Sequence, residues 1–129
     1  MKHALTIAGS DCSGGAGIQA DLKTFAAHGV YGMSVIVSVV AENTERVISI
    51  EDISPKVICD QIDAVFTDIE VDAVKVGMLS GIEQMQDTVL VQATEHRGTV
   101  CTFVRQKYKK RGGFRNAPTP LNVRRECPS

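Results

Sequence analysis

The chain has 129 residues, 43% of them hydrophobic and only 5% aromatic, which is one domain's length with apolar content near the globular norm. Its formal net charge of −1 hides a division: residues 1–90 carry five basic groups against thirteen acidic ones, whereas residues 91–129 carry nine against two. No stretch approaches the roughly 18 uninterrupted apolar residues of a membrane span, and Met1 to Leu5 lacks a signal peptide's apolar region, so a cytoplasmic setting without membrane partners is expected.

Ala4–Ala8 is a short apolar run suited to a buried parallel strand that stops near Ala8. The glycine-rich stretch Gly9 to Gly17 follows. Glycine reaches positive φ and lets a ligand touch the backbone, and a helix that begins there turns unpaired N–H groups toward whatever enters. The loop is therefore expected to hold a small molecule. Ile18, Leu22, Phe25 and Ala26 then fall at helical spacing, and His28-Gly29 supplies a helix-end cation and a terminating glycine. Gly32–Val40 is rich in Val and Ile on both faces, which predicts the middle strand of the sheet. Val47–Ile53 alternates weakly, as an edge strand does. Ser54-Pro55 reads as an N-cap followed by proline at the first helical position, and Ile58, Ile62, Val65, Phe66 and Ile69 continue with helical period.

Asp72–Val76 is a further strand, apolar apart from Lys75. Ser80-x-x-Glu83 is a capping box, with Ile82, Met85, Val89 and Leu90 on one face of the helix it opens. Thr99–Val104 offers one more strand. Arg105–Arg125 has clustered cations, two prolines, a Gly-Gly pair and no apolar period, and is expected to be irregular. Alternating strands and helices predict a mostly parallel α/β sheet with right-handed crossovers over residues 1–95, followed by a basic tail over 96–129.

Spacing sorts the readings of the glycine loop. A P-loop fails on chemistry, because Gly15 and Ala16 stand where Lys and Ser/Thr should follow Gly14. Gly15-Ala16-Gly17-Ile18-Gln19-Ala20 formally fits a dinucleotide fingerprint, with Glu42 as the acidic ribose ligand. However, Gly9–Gly14 separates the strand from Gly15 and spoils the tight turn that motif needs. Cys12, Cys59, Cys101 and Cys127 are scattered with no C-x-x-C pair, and His3, His28 and His96 lack partners at metal spacing. Neither a metal site nor a disulfide framework is predicted. Cys12 lies in the loop before a helix, whose N-terminus can activate a thiol, but no cation neighbours it in sequence, so it reads as a passive small residue.

Ala4-Leu5-Thr6-Ile7-Ala8-Gly9-Ser10-Asp11, then Ser13 through Phe25, His28 through Met33, and Val74-Lys75-Val76-Gly77-Met78-Leu79 together resemble the start of a hydroxymethylpyrimidine (phosphate) kinase, the thiamine-pathway branch of the ribokinase-like superfamily. The resemblance runs in unbroken order from about residue 3 to residue 80. It implies a ribokinase-like three-layer α/β sandwich, truncated here. It also implies ATP-dependent phosphorylation of hydroxymethylpyrimidine and its phosphate in thiamine biosynthesis, with ATP and Mg2+ as cofactors, a small-molecule pyrimidine partner and a family-like homo-oligomer.

Open α/β sheets bind ligands at the carboxyl ends of their strands, and here Gly9–Gly17, Ala41–Thr44 and Gly77–Leu79 occupy that edge. Carried over by the resemblance, Gly9 and Ala16 wall the pyrimidine pocket, Asp21 faces the substrate hydroxymethyl and Met78 packs on the ring. The plainer alternatives are a solvated Asp21 and a core Met78. Glu42 departs from the Gln usual in that segment. An amide can donate to a ring nitrogen while accepting from an exocyclic amine, whereas an ionised Glu only accepts. Either the ligand is a related pyridoxine-type ring or pyrimidine binds more weakly.

The family's second-half elements, an Asp-Pro-Val-Met-like segment and a Gly-Thr-Gly-Cys-like turn, do not occur; Phe103-Val104-Arg105-Gln106 follows Thr99-Val100-Cys101-Thr102 instead. No catalytic residue is therefore assigned, and an inactive fragment created by a shifted reading frame or premature end is expected. A native basic tail that binds nucleic acid is the weaker alternative, since only Tyr108 and Phe114 accompany its cations. A non-catalytic binding or pairing module is the reading of a different class.

Overall fold

The computed structural model describes residues 1–77, 79 and 100–103. Their elements in chain order are β1 (His3–Asp11), α1 (Gly17–Ala27), β2 (Tyr31–Glu42), β3 (Val47–Asp52), α2 (Pro55–Asp68), β4 (Ala73–Val76) and β5 (Val100–Phe103). The strands form one sheet in the order β3-β2-β1-β4-β5. Neighbours pair in parallel except β3, which turns back antiparallel along β2 at the edge.

Strand alternation divides the molecule into three layers. On one face Leu5, Ile7, Met33, Val35, Val37, Val74 and Val76 enclose Ile58 and Ile62 of α2. Each such aliphatic side chain, once fully buried, contributes on the order of 1.5–3 kcal/mol. The other face carries small groups, Ala4, Thr6, Ala8 and Gly32, which let α1 approach closely. A β-carbon on Gly32 would meet Leu22 at 2.9 Å and Phe25 at 3.0 Å. The ribokinase-like layering is therefore an α1–sheet–α2 sandwich, in keeping with the expected fold class.

The helix ends follow their local chemistry. Ser54 Oγ accepts from Val57 N with Pro55 at the first helical position, and His28 caps α1 before Gly29. Two expectations change. Among the five described strands the middle one is β1, with β2 beside it in the interior: apolar residues on both faces mark an interior strand, but strand order depends on the helical crossovers that place β2 and β4 on either side of β1. β1 also continues past Ala8 to Asp11, because the register with β2 shifts between Ala8 and Ser10 and the polar Ser10 and Asp11 keep pairing with Val39 and Val40. An apolar run alone could not reveal paired polar residues.

Where β3 does not reach, α2 covers the outer edge of β2. The Gln61 amide donates to Ile36 O at 3.0 Å and accepts from Ile36 N at 2.9 Å, as a neighbouring strand would. The predicted helix after Ser80, the domain boundary near residue 95 and the basic segment after Arg105 lie outside the described residues. Among the described residues no helix is long and apolar enough to cross a membrane.

Candidate functional site

β1, β2 and β4 run in parallel, so Asp11, Glu42 and Gly77 end at one edge of the sheet, and the Cys12–Ala16 loop carries the chain from there into α1. Asp11 organises this loop. Its buried carboxylate accepts from Ser13 Oγ at 2.7 Å and from the backbone N–H groups of Ser13, Ala16 and Gly15 at 2.8, 2.9 and 3.2 Å. The Ser13 hydroxyl, and then these N–H groups, hold the Asp11 carboxyl below its ordinary value against the opposing effect of burial. Gln19 locks the other side, its Oε1 accepting from Asp11 N and its Nε2 donating to Ser10 Oγ, both at 2.8 Å.

The Ser13, Gly15 and Ala16 N–H groups, which precede α1, already bind the chain's own carboxylate. What remains open is the first turn of α1, where Ala16 occupies the N-cap position and supplies no side-chain cap. Gly17 makes that junction tight. Its φ is +59°, and a β-carbon there would lie 2.2 Å from Gly9 O. Gly9 in turn sits against Ser38, whose Oγ would be 2.8 Å from a β-carbon.

Glu42 reaches the same loop through Cys12, whose Sγ donates to Glu42 O at 3.0 Å and accepts from Glu42 N at 3.4 Å. Cys12 thus has a bridging role between the loop and β2 that its sequence neighbours did not suggest. Burial first, and then the charge and a hydrogen bond of Asp11, raise the Glu42 carboxyl above its ordinary value. A protonated Glu42 can donate, where an ionised one only accepts, and the Asp11 carboxylate lies beside it as an acceptor.

Asp21 is not a simply solvated helix carboxylate. Its Oδ2 accepts from Thr6 Oγ1 and from Lys75 Nζ, each at 2.6 Å. The structure therefore gathers Gly9, Ala16 and Glu42 around the loop and places Asp21 on the neighbouring turn of α1, while Met78 lies outside the described residues. Sequence reasoning missed Asp11, Thr6 and Lys75. An Asp two residues before Ser is an Asx-turn signal, and a Thr and a Lys inside apolar strands each ask for a polar partner.

Residues 11–104 match the phosphomethylpyrimidine kinase family. A hydroxymethylpyrimidine/phosphomethylpyrimidine kinase of Rhizobium meliloti is 61% identical over 77 residues, covering 60% of this chain and 29% of that protein. Its Escherichia coli counterpart is 52% identical over 95 residues, covering 74% of this chain and 34% of that protein. The chain thus spans about a third of the length of these curated relatives. The crystal structure of phosphomethylpyrimidine kinase from Clostridium difficile superposes with a TM-score of 0.75 at 48% identity, covering 80% of this chain and 44% of that one. Pyridoxal kinase from Staphylococcus aureus, solved with pyridoxal, gives 0.71 at 33% identity over 80% of this chain and 38% of that one, and the same kinase has been solved with ADP and with AMP-PCP.

Proposed function

We propose, since this chain belongs to the phosphomethylpyrimidine kinase family, that its loop edge binds hydroxymethylpyrimidine or its phosphate as the acceptor for ATP-dependent phosphoryl transfer in cytoplasmic thiamine biosynthesis. The observation that supports this most is the convergence of the β1–α1 loop, Glu42 and Gly77 on one sheet edge within the family-matching stretch. In this reading Gly9 and Ala16 wall the ring, Met78 packs on it, Glu42 meets its polar edge and Asp21 accepts from the hydroxymethyl group.

Kinases of this family use ATP. Among the described residues no group of three His, Cys, Asp or Glu side chains can hold a metal ion, and the loop carries no lysine at the P-loop position. No step is assigned through the nucleotide or magnesium. The protein's own contribution is to bind and orient the acceptor: a rigid loop braced by Asp11, an uncapped helix turn, and two carboxyl groups of different character.

Thermal melting with added hydroxymethylpyrimidine tests the reading. A midpoint that rises with ligand concentration is expected, and an unmoved midpoint at millimolar ligand rejects it. An ADP-release assay on the same sample separates a working kinase from a binding module without turnover. Glu42 supports a second reading, a pyridoxine-type ring, which the same melting experiment with pyridoxal would detect as the larger shift.

A further inference from the structure

We infer that Lys75 and Thr6 are positioning residues that fix the Asp21 carboxylate for the hydroxymethyl group of the substrate, an inference that rests on the pyrimidine reading above. Thr6 of β1 and Lys75 of β4 are register partners across the parallel pair, so their side chains emerge side by side on the face that α1 covers. Both reach the same atom. Thr6 Oγ1 and Lys75 Nζ each donate to Asp21 Oδ2 at 2.6 Å, holding one carboxylate oxygen from two directions.

The trio is costly where it stands. Thr6 is wholly buried, and the Lys75 and Asp21 side chains are only 26% and 18% exposed. Well-packed apolar groups would stabilise such a position as well or better, so stability alone gives little reason for an ion pair between α1 and the central strands. Orientation does give one. A carboxylate is acceptor-only, and with Oδ2 occupied by two fixed donors and no described residue donating to Oδ1, Oδ1 is left for an outside donor such as a hydroxyl. Fixing the carboxylate before the substrate arrives also spares the cost of ordering it on binding.

The test compares two ligands, hydroxymethylpyrimidine and the analogue with methyl in place of hydroxymethyl, by calorimetry on the full chain and on Lys75→Met and Thr6→Val. Wild type should prefer the hydroxymethyl ring. Each variant should lose about tenfold of that preference while binding the methyl analogue as wild type does. Unchanged binding of the analogue also shows that the variant is folded, and the near-isosteric Thr6→Val serves if Lys75→Met does not fold. Variants that keep the wild-type preference, or that weaken both rings equally, overturn the proposal while leaving the pyrimidine reading in place. A wild-type chain that binds neither ring overturns the reading and the proposal together.

Discussion

The Asp11 carboxylate sits where an anion is held at many glycine-rich loops, ringed by backbone N–H groups before a helix. Because its folded value lies below the ordinary 3.8, the stability it contributes is present above that pH and lost as pH falls through the lower folded value. Asp11→Ala should lower the melting temperature at neutral pH and remove that part of the acid-induced loss, measurable by thermal melts across the acid range. Glu42 runs the other way. Its raised carboxyl makes the folded state bind a proton more tightly than the unfolded chain, so stability is highest below 4.5 and falls as pH rises through the raised value. Pyrimidine affinity should fall over the same window as the donor proton is lost. Glu42→Gln should flatten both profiles and tighten binding at pH 7, by up to about a hundredfold if an unpaired ring nitrogen costs on the order of 1–3 kcal/mol. Equal or weaker calorimetric affinity in the variant would remove this idea.

Between the elements, two contacts hold the architecture. Gln61 of α2 satisfies both backbone groups of Ile36, so Gln61→Ala strands them at a partly buried edge and should cost on the order of 1–3 kcal/mol in a denaturant titration. Gly17→Ala combines a left-handed backbone with a collision against Gly9 O and should cost about 3 kcal/mol or more, also read by denaturant. Sequence made some of this legible and not the rest. The Ser54-Pro55 start of α2 and the His28-Gly29 end of α1 are local chemistry, so the residues announce them. Ile58 and Ile62 were visible as a helical stripe, and the weak alternation of Val47–Ile53 marked the edge strand. The pairing of Thr6 with Lys75, the reach of Gln61 to Ile36 and the bulge that carries β1 to Asp11 are not local. They depend on which strands become neighbours, and no periodicity within one segment encodes that. The proposed pocket residues Gly9, Ala16, Asp21 and Glu42 came from family resemblance, whereas the Asp11 brace that shapes their loop was written in a short Asx-turn pattern.

For the whole molecule, the sheet is asymmetric about β1. The β3 edge presents Val47, Ile48 and Ile50 to solvent, and exposed apolar edge strands invite non-specific pairing. Ile48→Lys should slow aggregation in light scattering while changing stability by no more than about 0.5 kcal/mol. At the carboxyl ends of the parallel strands, the end along which β3 also pairs with β2, lies the proposed ligand edge, where the family match, the braced loop and the polar trio beneath α1 meet. Calorimetric titration of the folded 129-residue chain with hydroxymethylpyrimidine probes that edge most directly. One saturable site should appear and should weaken when Asp11 is replaced by alanine; a chain that is folded by circular dichroism yet gives no heat of binding at millimolar ligand would contradict the assignment.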